Sequence, residues 1–158
     1  TVLDLIPAEL RRGLHPVGRL DADSRGALLL SNQGELTLKL THPRYAHNKT
    51  YRVTVTGTPD HSKLERWRQG MELDGSRTLP ASVKLLHSKR GHSTLEVILR
   101  EGRNRQIRRI ASLLGHSVLD LQRVAIAGLA LGTTEEGCWR ELSRQEWQSL
   151  ISSQAGEA

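Results

Sequence analysis

Asp21 stands two residues after Arg19 in Gly18-Arg19-Leu20-Asp21, just upstream of the apolar run Ala27-Leu28-Leu29-Leu30. A carboxylate on a loop or strand edge anchored by such a run can be held rigid, and an ionised one can serve as nucleophile or base. A second stretch, Glu101-Gly102-Arg103-Asn104-Arg105-Gln106-Ile107-Arg108-Arg109, reads as its cationic counterpart. An arginine turned toward a partly buried carboxylate favours its charged form. The two stretches are expected to meet across a cleft. From spacing alone, capping a turn is the simpler role for Asp21, since acids beside arginines are common in loops.

Charge supports a polyanionic partner for that cleft. Five arginines (100, 103, 105, 108 and 109) stand against the single acid Glu101, so this window supplies +4 of the chain's +6. A concentrated basic patch binds phosphates well because each neutralised phosphate releases condensed counterions. Ile107, Ile110, Ala111 and Leu114 fall at i, i+3, i+4 and i+7, the stripe of one helix face. Arg105, Arg108 and Arg109 must then project to the sides or the opposite face. Arg103 and Asn104 sit at the helix entry, where free N–H groups also favour anions. Such a segment can grip a phosphate backbone while one arginine turns inward to a carboxylate. On charge alone, a solvated cationic helix face reads equally well.

Other chemistries lack their residues. The seven histidines (15, 42, 47, 61, 87, 92 and 116) are scattered, with no HExxH or Cys/His cluster, and no Walker or GxGxxG loop is present. No metal or cofactor is expected. Cys138 is the only cysteine, so an intramolecular disulfide is impossible, and a reducing, cytoplasmic setting is expected. No apolar run is long enough to span a membrane. The first seven residues contain Asp4 and are too short for a secretory leader, and the first residue is Thr1 rather than Met.

The elements that must position these groups can be read in order. With 158 residues, no Phe and only 3% aromatics, one domain with an aliphatic core is expected. Residues 1–12 suggest a short helix broken at Pro7, with Leu10 inward. Residues 15–18 read as a turn, 27–30 as one apolar strand, and 31–34 as a second turn. Leu36 and Leu40 lie at helical spacing ahead of Pro43. Residues 51–57 alternate as a strand. Asp60 caps a helix carrying Leu64 and Trp67 that stops at Gly70. Residues 79–86 and 94–99 form a hairpin, and 118–126, 129–131 and 139–142 are further strands. Ser143 and Glu146 make a capping box for a last helix ending at Ile151, and 152–158 are expected to be disordered. Without a βαβ rhythm, the fold class is α+β: a mixed, largely antiparallel sheet flanked by helices.

Taken together, these motifs resemble the RsuA-type pseudouridine synthases, which isomerise uridines in ribosomal RNA. The resemblance rests on Gly18-Arg19-Leu20-Asp21, Gly26-Ala27-Leu28-Leu29-Leu30-Ser31-Asn32-Gln33-Gly34, Lys49-Thr50-Tyr51-Arg52-Val53 and the 101–109 segment, in the family's order and spacing. It implies that Asp21 is catalytic, that Tyr51 packs against the target base, and that Arg108 pairs with Asp21. Arg19 would fill the gap left by a flipped base, while Lys49, Arg103, Asn104, Arg105 and Arg109 would bind RNA. An aliphatic pocket near Leu20 and Leu28 would keep water from the detached base.

Base flipping, ribosomal RNA as partner, no cofactor and a monomer follow from the same resemblance. Residues 1–151 would be a pseudouridine synthase catalytic domain without its first strand and an N-terminal RNA-binding domain. One local departure is Ser24-Arg25-Gly26-Ala27 where the family commonly carries Thr-Glu-Gly-Leu, which adds a positive charge near the site. The rival reading is a noncatalytic RNA-binding module acting in ribosome assembly, for which Asp21 would have no use. A hydrolase using Asp21 lacks a clearly placed second carboxylate, Glu101 being the only nearby candidate.

Overall fold

In a computed structural model the described residues are 1–42 and 47–155, with side chains described as far as 150. The chain opens with two 3₁₀ turns, Val2–Leu5 and Ala8–Leu10, in place of the expected helix. Leu10 is exposed rather than inward. Pro7 separates the turns, so neither gathers enough hydrogen bonds to lengthen.

Strand β1 (His15–Val17) pairs antiparallel with β3 (Leu29–Ser31), forming a small sheet of its own. Between them β2 (Arg25–Gly26) joins the main sheet instead. The apolar run expected as one strand is therefore split at Ala27. Helix α1 (Gly34–Thr41) follows and buries Leu40. Pro43, expected to end it, lies outside the described residues.

The main sheet is built from β4 (Lys49–Thr56), β7 (Ser82–Lys89), β8 (His92–Leu99), β9 (Val118–Ile126) and β10 (Leu129–Ala130). Its order is β10-β9-β4-β8-β7, all antiparallel, and β2 adds to β9 in parallel. The alternating, β-branched sequence of β4 places Val53 and Val55 on one face, fully buried against Leu95 and Val97 of β8. Helix α2 (His61–Gln69) covers that face with Leu64 and Trp67, so the core is aliphatic around one indole. Asp60 accepts from the Lys63 N–H, a cap worth about 1 kcal/mol. The short hairpin β5 (Glu72–Leu73) and β6 (Ser76–Arg77) follows α2.

Helix α3 (Gln106–Leu113) packs on the same core, with Ile107, Ile110, Ala111 and Leu114 all buried as their spacing requires. Residues 139–142 form no strand. Helix α4 (Arg144–Ala155) begins on the capping box, the Ser143 hydroxyl accepting from the Glu146 N–H and Glu146 from the Ser143 N–H. It takes in residues 152–155, expected to be disordered. Leu150 closes a second small core with Val17 and Leu40. The α+β class and the largely antiparallel sheet are as expected.

Candidate active site

Gly18 has φ +80 and Gly26 φ +124, so glycines bracket the polar loop that carries Asp21. At Gly26 the requirement is steric as well. A Cβ there would lie 2.2 Å from the Arg123 carbonyl oxygen and 2.5 Å from its nitrogen. The strand pairing is reinforced just beyond. The Ala27 N–H donates to the Arg123 carbonyl at 2.8 Å, and Arg123 Nε donates to the Ala27 carbonyl at 2.9 Å. These two bonds hold the chain at Ala27, which explains why the apolar run does not continue as a single strand.

The middle of the loop is held by Arg105 and by Arg108 of α3. Arg105 donates two bonds to Asp23, at 2.9 and 2.8 Å, and its Nη1 lies 3.7 Å from Asp21 Oδ2. Arg108 Nη2 donates to the Asp23 carbonyl at 2.6 Å and to Ser24 Oγ at 3.2 Å. Arg108 Nε is buried without a hydrogen bond, 3.5 Å from Asp23 Oδ2. The expected meeting of the two stretches occurs, with one exchange of roles. The arginine facing Asp21 is Arg105, and Arg108 anchors the neighbouring backbone. Asp23 was missed, although its spacing of two from Asp21 signals a second carboxylate on the loop.

Electrostatics follows from these contacts. The Arg105 hydrogen bond, helped by the charge of Arg108, lowers Asp23 to about 2. Arg105 itself sits at φ +51, a left-handed backbone that a non-glycine residue adopts at some cost. Arg105 is the residue from which α3 begins, and its guanidinium reaches Asp23 on the loop.

Tyr51 enters from the sheet. Gly26, Arg123 and Tyr51 are successive partners across β2, β9 and β4, which puts the Tyr51 and Gly26 backbones roughly 10 Å apart. A bulge between Thr50 and Tyr51 shifts the register with β9 there. Bulges of this kind re-aim side chains and are frequent beside active sites. Tyr51 is half-buried against the main core. Lys49 lies on the same face two residues earlier, close enough to Gly102 that a Cβ there would meet its Nζ at 3.1 Å. Desolvation first, then the charge of Arg123, lowers the Lys49 pKa, while Glu101 opposes the shift.

The remaining residues expected to bind RNA divide. Arg19 and Asn104 are exposed. Arg109 is held by Asp74 at 2.7 Å and by the Asn104 carbonyl at 3.0 Å. Arg103 differs from expectation, because four of its five N–H groups are engaged by Glu101 and the carbonyls of Leu73, Ser76 and Arg77. It fastens the β5–β6 hairpin to the start of α3. Arg25 adds no free charge, being paired to Asp120 at 2.8 Å on the sheet's other face.

Leu20 and Leu28 do line a cavity, of about 1260 Å³, with Leu5, Leu36, Leu129 and Trp147, but Asp21 and Tyr51 are not part of its wall. It lies beside the carboxylate rather than over it. Among the described residues no group of three or more His, Cys, Asp and Glu is placed to hold a metal ion.

An α+β domain on a largely antiparallel sheet, with a carboxylate loop locked to a cationic helix start, has known counterparts. Residues 1–113 match the family model described as RNA pseudouridylate synthase. A crystal structure of pseudouridylate synthase superposes with a TM-score of 0.88 at 30% identity, over 95% of this chain and 65% of that one. An RNA pseudouridine synthase of Aquifex aeolicus, whose own role is uncharacterized, is 35% identical over 97% of this chain and 61% of its own length. Ribosomal large subunit pseudouridine synthase B of Bacillus subtilis is 41% identical over 87% of this chain and 57% of its own. Synthase E of Vibrio vulnificus is 36% identical over 90% of this chain and 66% of its own. The chain belongs to the RNA pseudouridylate synthase family. It spans about three-fifths of the length of the first two of these relatives.

Proposed function

We propose that residues 1–151 are the catalytic domain of an enzyme that converts uridine to pseudouridine in ribosomal RNA in the cytoplasm, with Asp21 as the acting carboxylate. The observation that carries this reading is the placement of Asp21. It stands 3.7 Å from Arg105 on a loop fixed in its middle by Arg105 and Arg108 and at its far end by the Gly26–Arg123 contact. A domain that only held phosphates would have no use for a carboxylate so constrained. Relatives named for the ribosomal large subunit support the substrate class.

Each group then has a task. The target nucleotide leaves its stack, and stacking on Tyr51, worth about 1–3 kcal/mol per base, offsets part of that cost. Arg105, 3.7 Å from Asp21, orients it toward the sugar. Arg19, Asn104 and Arg109 meet the backbone. The reaction breaks C1′–N1, turns the ring and forms C1′–C5; one proton leaves C5 and one is taken up at N1. Neither oxidation nor hydrolysis is involved.

The test is tritium release from ribosomal RNA labelled at uridine C5. Wild-type protein should release label and Asp21→Asn should not. If neither does, on protein-free ribosomal RNA and on precursor particles alike, the domain is a noncatalytic RNA-binding module.

A further inference from the structure

Arg123 is 6% exposed, which is unusual for an arginine outside an ion pair. Its Nε is spent on the Ala27 carbonyl. Its two terminal NH₂ groups donate to nothing among the described residues, and neither is sealed from solvent. Its cationic tip therefore keeps some contact with solvent. Lys49 stands beside it, half-buried, and its ammonium makes no hydrogen bond among the described residues. The acid near Lys49, Glu101, is already held by Arg103 Nε and the Leu79 N–H. Two cations with unspent donors thus lie on the Tyr51 face of the sheet, one of them Tyr51's cross-strand partner.

Burying such groups without a partner is costly unless something negative arrives. We infer that Arg123 and Lys49 form an anion-holding wall of this site, which carries the negative charge of the uracil ring between the breaking of C1′–N1 and the making of C1′–C5. This deepens the isomerase reading and rests on it. When C1′–N1 breaks, the bonding electron pair stays on the ring and spreads over N1, O2 and O4. The electron deficiency at C1′ is met on the Asp21 side. The ring keeps one negative charge until C5 bonds to C1′; loss of the C5 proton and protonation of N1 then leave it neutral.

Donors fixed before the reaction, in a site poor in water, act where charge develops. A backbone phosphate is the other anion at hand, but it rides on the outside of the RNA. The tips of a 6%-exposed side chain beside Tyr51 suit the flipped base instead. Arg19 and Asn104, which are exposed, suit phosphates.

The test compares single-turnover tritium release at saturating full-length protein with RNA affinity, using C5-tritiated ribosomal RNA transcript. Arg123→Gln should lower the rate constant by on the order of 10²–10³, the loss expected for one preorganised donor, with affinity unchanged. Lys49→Met should behave alike. Arg123→Ala should regain rate in dilute guanidinium chloride and not in the same concentration of sodium chloride. Three results would overturn the inference. One is an unchanged rate in both variants. Another is an unchanged rate with weaker binding and a salt dependence shallower by about 0.7, which marks a phosphate contact. The third is a rate lost together with melting temperature that guanidinium does not restore, which marks a structural role. If wild-type protein releases no label, the isomerase reading fails first and this one with it.

Discussion

Arg105 closes on Asp23 with two bonds of 2.9 and 2.8 Å while standing 3.7 Å from Asp21. One guanidinium thus serves both carboxylates of the loop, gripping one and facing the other. Removing it should do more harm at Asp21 than its single long contact suggests, because the loop loses its clamp as well. Arg105→Gln should reduce tritium release on the order of 10²-fold, the scale of a misplacement of about 1 Å. Asp23→Asn, which keeps Arg105 facing Asp21, should lose less. Equal losses in the two variants would mean that the clamp, and not the charge beside Asp21, is what matters.

The same clamp sets a pH dependence. The Arg105 hydrogen bond brings Asp23 to about 2, below the roughly 3.9 of an unfolded aspartate. A carboxyl lowered on folding stabilises the loop fully above its unfolded value and loses that contribution as pH falls through the folded one. The loop should therefore stay clamped at mildly acidic pH and open only as pH approaches 2. Carboxyl carbon NMR should find the Asp23 midpoint near 2, and in Arg105→Gln the midpoint should return to the ordinary aspartate range. A wild-type midpoint near 3.9 would contradict the bidentate geometry.

What the sequence made legible follows from where the signals are local. The 3.6-residue stripe from Ile107 to Leu114 and the alternation from Tyr51 to Val55 are read along one element, and both elements stand where expected. The encounter of the 18–26 loop with α3 followed from charge and apolar anchoring. Which arginine faces Asp21 did not, because that depends on the left-handed turn at Arg105, a single backbone choice that residue types do not announce. Arg103 misled for a related reason. In a basic stretch its charge suggests phosphate, and only the fold brings the carbonyls of Leu73, Ser76 and Arg77 around it. The split of the apolar run at Ala27 is set by Arg123, ninety-six residues away in sequence.

Arg103 invites a direct check of that tether. Arg103→Met would leave Glu101 Oε1 and three carbonyls short of a donor in a partly buried setting, a loss of about 2 kcal/mol. For a chain of this length that lowers the melting temperature by roughly 4–8 °C. Amide exchange in residues 72–77 should quicken, because the hairpin's hold on α3 runs largely through this side chain. The slope of RNA affinity against salt should stay the same. A slope shallower by about 0.7 would reassign Arg103 to a phosphate.

Gly26 tests whether the sheet and the site are one construction. Its φ of +124 is a region that L side chains avoid, and an added methyl would sit 2.2 Å from backbone oxygen in β9, where no flexible side chain can yield. Gly26→Ala must push β2 off β9, at a cost of about 3 kcal/mol or more once strain and lost pairing combine. The melting temperature should drop by at least roughly 6 °C. Because Ala27 and Arg123 hold each other through two bonds next to this contact, the displacement also reaches Arg123. Catalysis should therefore fall by more than the unfolded fraction explains when tritium release is measured well below the melting temperature. Activity that merely tracked the folded fraction would show that the Gly26–Arg123 contact supports the fold without aligning the site.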